Sequence, residues 1–217
     1  MIIDHTHPEY LDALRKIGKN RWNGAYFYSE EIVKYIIPNV KTDRNWITVD
    51  LKDAKIGFDH AIVFVHNHPK CPEWYEWYAD YDDLIFVCSS HEDMEKIKHL
   101  GTPLYLPLSV DVEYVERFRT KKTMDTAYAG RPEKKKGWRP PSGAKSICFL
   151  PRDRFLAEMA KYRRVYAVDR VEIEARILGC EVLKYDCPSY APDRIIDSLE
   201  AAKMLQEKLD EIDGITR

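Results

Sequence analysis

Short apolar runs bounded by polar or turn-forming residues alternate along this chain with stretches in which apolar positions recur at helical spacing. The runs predict strands at 46–49, 61–66, 84–88, 104–106, 126–129, 146–150, 164–167 and 181–185. The periodic stretches predict helices at 9–16, 29–36, 73–79, 92–99, 153–162, 170–178 and 197–212. Strands alternating with helices predict an α/β architecture with parallel sheets, which bind ligands at the carboxyl ends of their strands. The order suggests two lobes joined near 110–122, a first lobe at 1–117 and a second at 118–217 that ends in a closing helix. The most informative segment is 166–186. Asp169, Glu172 and Glu174 supply early acidic positions and Ala175, Ile177 and Leu178 an apolar face; Gly179 then closes the helix and Glu181-Val182-Leu183 opens an extended run.

Composition narrows the classes. With 217 residues the chain can bury a sizeable core, as one large domain or two small ones. A formal net charge of -2 and a pI near 6.4 give no global field toward nucleic acid or an anionic membrane. No apolar run approaches the length of a bilayer span, and the N-terminal MIIDHTHPEY carries charge and histidine where a signal peptide needs an apolar core. The five cysteines are odd in number and form no CxxC pair, which fits a reduced, cytoplasmic compartment.

Candidate chemistry gathers at predicted strand ends. His66 and His68, in His66-Asn67-His68-Pro69, follow the apolar run 61–65 and would stand at a site mouth. An imidazole there can orient a hydroxyl or accept a proton; the alternative is a pair of strand-end histidines satisfied by backbone or solvent. His5 and His7 form a second HxH, a spacing some metal-dependent hydrolases use, but no matching carboxylate and histidine series follows. Arg131, Lys134, Lys135 and Lys136, between Gly130 and Gly137, place four cations in a Pro-, Gly- and Lys-rich loop suited to a diphosphate. A lysine run is otherwise a solvated face. Asn23-Gly24 opens a helix-like stretch where a ligand can approach the backbone, or is simply a turn and cap. The helix 170–178 offers its leading amides and Arg170 to phosphate and Glu174 to ribose hydroxyls. The aromatics Trp74, Tyr75, Trp77, Tyr78 and Tyr81 read as core packing more readily than as a sugar-stacking surface.

These pieces stand in a familiar order. His66-Asn67-His68-Pro69, then Phe86-Val87-Cys88-Ser89-Ser90 with Lys98-His99-Leu100-Gly101, then Leu106-Pro107-Leu108-Ser109-Val110-Asp111 are followed by Tyr128-Ala129-Gly130-Arg131 through Lys136-Gly137 and by Glu174-Ala175 with Leu178-Gly179-Cys180-Glu181-Val182. The chain resembles the group 1 glycosyltransferases of the GT-B fold. That resemblance implies two small Rossmann-like lobes facing a cleft. It implies metal-independent, hexosyltransferase-like chemistry, with a nucleotide-sugar donor as substrate, no cofactor and no metal. It implies donor contacts from Arg131, Lys136, Arg170, Glu174, Gly24 and Asn23, catalytic orientation by His68 and His66, and retention of anomeric configuration. The departures are Tyr166, where the family carries the first acid of an E-x7-E pair, a shortened donor lobe, and a glycine-rich loop reduced to Asn23-Gly24. The acceptor is open among glycan, lipid, protein and modified nucleic-acid base, and so is homo-oligomerisation. The rival readings are a non-catalytic nucleotide-sugar or protein-binding module on a worn scaffold, and a metal-dependent hydrolase built on His5, His7, His66 and His68.

Overall fold

The structure is a computed structural model, and it describes residues 24–48, 59–65, 75–129, 142–148, 150–185, 187 and 189–214. Its chain contacts divide it into two units, Met1–Pro107 with Ser198–Arg217, and Leu108–Asp197. Among the described residues each holds one four-stranded parallel sheet, so the chain is α/β and compatible with a Rossmann-like fold. The expected boundary lay at 117/118, with the last helix in the second lobe. In the structure that helix packs within the first unit.

The first described element of the first unit is helix α1 (Gly24–Glu31), which runs on through a π turn (Ile32–Ile36) and a 3-10 turn (Ile37–Asn39). Strands β1 (Asn45–Ile47), β2 (Ala61–Phe64), β3 (Leu84–Cys88) and β4 (Thr102–Tyr105) pair in sequence order. Every side chain of β2 and β3 is buried, as uninterrupted apolar runs require when both faces of a parallel sheet are covered. Gly101 precedes β4 because a Cβ there would stand 2.5 Å from the carbonyl oxygen of Leu84. Helix α2 (His91–Ile97) starts at Ser90, whose hydroxyl accepts from the Asp93 amide. A 3-10 turn (Glu76–Asp80) buries Tyr75 and Tyr78, and Tyr78 meets Phe86 edge to face, so these described aromatics serve the core.

The second unit contains helix α3 (Val112–Glu116), β5 (Met124–Tyr128), β6 (Lys145–Ser146), helix α4 (Arg152–Met159), β7 (Tyr162–Tyr166), helix α5 (Asp169–Ile177) and β8 (Glu181–Leu183). The strand order is β6-β5-β7-β8, all parallel. The chain therefore goes outward from β5 to β6, then crosses back past β5 to β7 and continues to β8. Helix α5 stops in a double C-terminal hydrogen-bond motif, Gly179 N–H to Arg176 C=O at 3.0 Å and Cys180 N–H to Ala175 C=O at 2.9 Å. Gly179 takes φ +74°, which a Cβ would disfavour, so the predicted stop has a backbone cause. Lys122 Nζ donates to the carbonyls of Ala160 (2.9 Å) and Leu178 (2.7 Å), closing α4 and α5 with one cation at their negative ends. The predicted helix 153–162 accordingly ends at Met159, and Tyr162 begins β7.

Helix α6 (Ser198–Ile212) buries Ala201, Ala202, Leu205 and Leu209 along one stripe. Gln206 Oε1 accepts from the Lys41 amide at 2.6 Å, and Asp213, just past the helix end, pairs with Arg44 at 3.1 Å. Among the described residues no helix is long and apolar enough to cross a membrane.

Candidate functional site

In a doubly wound parallel sheet, ligands bind outside the carboxyl ends of the strands where the winding direction reverses. In the second unit that point lies between β5 and β7. Tyr128 and Tyr166 are register partners at the ends of these two strands. Tyr185, just beyond β8, sits edge-on to both rings, at 5.4 and 6.4 Å between centroids. Burial, with Tyr128 and Cys187 alongside, pushes the Tyr185 hydroxyl well above the usual phenol range, so it stays protonated as a donor.

Beside these rings, α4 and α5 begin at the same end of the sheet. Arg152, the first residue of α4, grips Glu174 with both guanidinium branches, Nη1 to Oε2 at 2.7 Å and Nη2 to Oε1 at 2.6 Å. Arg170, in the first turn of α5, donates from Nε to Glu174 Oε1 at 2.8 Å. Glu174 is 0% exposed. Burial alone would raise its pKa, but the charges of Arg152 and Arg170 prevail and hold the carboxyl below the ordinary range. Next to this cluster the Tyr114 hydroxyl donates to Asp153 Oδ1.

The expectation that Glu174 accepts from ribose hydroxyls does not match this geometry, because both carboxylate oxygens are held by guanidinium groups inside the protein. The expectation for the leading amides of α5 changes too. Asp169 N–H donates to Ser189 Oγ at 2.8 Å, Ser189 in turn donates to Glu172 at 2.7 Å, and the Tyr190 amide reaches back to Asp169 Oδ1 at 2.8 Å. Asp169 adopts φ +52°, a costly conformation for a residue with a Cβ, and this loop holds it there. Arg176 fixes the other end of the strap through the carbonyls of Pro192 and Asp193. The first amide of α5 is thus occupied, and the cations at this end are side chains.

Of the other expected site residues, His66, His68, Asn23, Arg131 and Lys136 lie outside the described residues, as do His5 and His7. Gly24 is the first residue of α1. Arg152, Tyr128 and Tyr185 were missed. The available signal for Arg152 was its place at the start of the helix after β6, since sequence spacing gives no hint of a partner 22 positions away.

No family model, curated protein or solved structure matches this chain. The site must therefore be read from its own chemistry. No disulfide joins the described cysteines, and none of the shifted thiols is activated: burial pushes Cys88 up to about 12 and also raises Cys148 and Cys180. Among the described residues no group of three or more His, Cys, Asp or Glu side chains is arranged to hold a metal ion. A groove of about 280 Å³ runs between β6 and α4, lined by Ser146, Ile147, Cys148, Leu150 and Arg154, with Lys145 and Glu158 paired across it. Arg154 lies two residues on from Arg152, on a different side of α4.

Proposed function

We propose that the second unit binds a nucleotide-sugar and that the protein is a glycosyltransferase of GT-B type, moving a sugar to an acceptor. The observation that carries this reading is the pair of arginines, Arg152 and Arg170, opening two helices at the reversal point of a doubly wound sheet. Guanidinium groups match the oxygens of a diphosphate, and charge fixed in advance acts most strongly where charge develops. In the transfer, the bond between the anomeric carbon and the diphosphate oxygen breaks and its electron pair leaves with the diphosphate. The acceptor oxygen forms the new bond and gives up its proton. Arg152 and Arg170, with Arg131 and Lys136 from the resemblance, stabilise the departing diphosphate without a metal ion. Tyr166 and Tyr185 supply ring surface beside it, and the buried Tyr128 ring packs behind Tyr185. His66 and His68 remain the candidates for orienting sugar or acceptor.

A second reading, a nucleotide-sugar-binding module without turnover, is favoured by Tyr166. It ends β7 as an aromatic where the resemblance expects an acid. One experiment separates the two. Nucleotide sugars that bind only the folded protein must raise its melting temperature, and those that do so are then assayed for released nucleoside diphosphate. Stabilisation with release supports the transferase; stabilisation without release, across an acceptor panel, supports the module. No stabilisation by any nucleotide sugar contradicts both.

A further inference from the structure

Glu174 occupies the position that the resemblance gives to a ribose contact, yet its surroundings assign it different work. Its carboxylate is wholly enclosed, and three short hydrogen bonds from two guanidinium groups approach it from two helices, α4 and α5. A donor hydroxyl would have to displace one of these charge-assisted bonds to reach it. Arg152 and Arg170 are themselves nearly buried, with side-chain exposures of 14% and 9%. Long cationic side chains normally reach into water, and holding two of them down costs rotamer freedom and hydration. A buried ion cluster is weak support for stability in its own right.

Resting on the nucleotide-sugar reading above, we propose that Glu174 is a positioning residue: it touches no substrate but locks the guanidinium planes of Arg152 and Arg170 in the orientation that receives the diphosphate. Arg152 thereby becomes a diphosphate contact contributed by the helix after β6. The nucleoside part is recognised elsewhere. Loss of Glu174 then weakens everything that carries the diphosphate and leaves the nucleoside alone unaffected.

The test uses the full chain and three probes: a nucleoside diphosphate that wild type binds, the matching nucleoside, and inorganic pyrophosphate. Each is titrated against wild type, Glu174→Gln and Arg152→Lys, and the melting temperature of each protein is recorded. In Glu174→Gln the proposal expects about tenfold weaker binding of both pyrophosphate and nucleoside diphosphate, by the same factor, with nucleoside affinity unchanged. Arg152→Lys keeps the charge and loses the fork, and the same pattern is expected. If nucleoside affinity falls while pyrophosphate affinity holds, Glu174 contacts the ribose and the proposal is wrong. If the melting temperature drops but all three affinities hold, the cluster is structural and the proposal is wrong. Should Glu174→Gln fail to fold, Arg152→Lys decides, and unchanged pyrophosphate affinity in that folded variant overturns the proposal. Wild type that binds neither pyrophosphate nor any nucleoside diphosphate sinks the nucleotide-sugar reading itself, and this inference with it.

Discussion

Two arginine–carboxylate networks, one in each unit, use the same residue types for different ends. In the second unit Arg152, Glu174 and Arg170 meet at the carboxyl end of the sheet, around a carboxylate that is 0% exposed. In the first unit Arg44, His60 and Asp83 each immediately precede a strand, β1, β2 and β3, and so mark the amino end. Arg44 Nη1 donates to Asp83 at 2.9 Å, and His60 bridges Asp83 at 2.5 Å and Asp43 at 2.9 Å. His60 and Asp83 both adopt φ +53°. Arg44 is buried, but the Asp83 and Asp213 side chains are 54% and 35% exposed. Backbone strain and buried arginine therefore do not by themselves mark a ligand site. The end of the parallel sheet on which they stand decides, because helix N-termini and strand carboxyl ends converge on only one of the two. The first network ties helix α6 to the strand starts; the second is the one that the proposed function assigns to a ligand.

The comparison breaks first at Glu174. Replacing it with alanine leaves two buried guanidinium groups without their shared carboxylate, and unfolding free energy should fall by about 3–5 kcal/mol. Denaturant titration checks this, and a loss below about 1 kcal/mol means that the cluster is far more hydrated than its burial indicates. Arg44→Ala comes next. It removes a buried stem and links to two half-exposed carboxylates, for an expected loss of about 1–3 kcal/mol. Faster amide exchange in α6 should accompany it, since Asp213 loses its anchor. Exchange unchanged in α6 would show that the apolar stripe alone holds that helix.

The smallest effect is a dependence on pH. Hydrogen bonds to Asp83 first, and then to Asp43, raise the His60 pKa above its ordinary value. The imidazolium therefore contributes stability fully below about pH 6.5, its unfolded value, and loses it as pH rises through the higher folded value. Because His60 is 41% exposed, the contribution is at most about 1 kcal/mol. The carboxylates act in the opposite sense. Burial alone would raise the Asp83 pKa, but bonds from His60 and Arg44 outweigh it and hold the carboxyl below its ordinary value; His60 also lowers Asp43, so their contributions fade as pH falls through the acid range. Thermal melts from pH 5.5 to 8.5 should show wild type losing stability with rising pH and His60→Gln losing less. Equal slopes would remove His60 from the account.

Much of the fold was legible because burial writes itself as local pattern. All eight expected strands appear, most with ends shifted by one to three residues. Continuous apolar runs marked β2 and β3, which are buried on both faces, whereas β6 is two exposed residues and falls well short of the expected 146–150. Helix α3 was missed: at five residues it is too short to show a period, and it is held by Asp111 accepting from the Tyr114 amide. The helix at 197–212 was legible but its unit was not, because its partners, Lys41 and Arg44, lie far away in sequence. The same limit governed the site. Arg170 and Glu174 share a helix and were visible together, whereas Arg152 comes from another helix and turned Glu174 from an exposed acceptor into a buried anchor. The Ser189 strap over the start of α5 was invisible for the same reason.

The most direct test of the central claim sets the two networks against each other with one ligand. Isothermal titration of a nucleoside diphosphate panel into wild type, Arg152→Ala and Arg44→Ala should give saturable binding for wild type and at least tenfold weaker binding for Arg152→Ala, with the Arg44→Ala value unchanged. Binding that is absent in wild type, or that falls equally in both variants, would contradict the assignment of the nucleotide site to the carboxyl end of the second sheet.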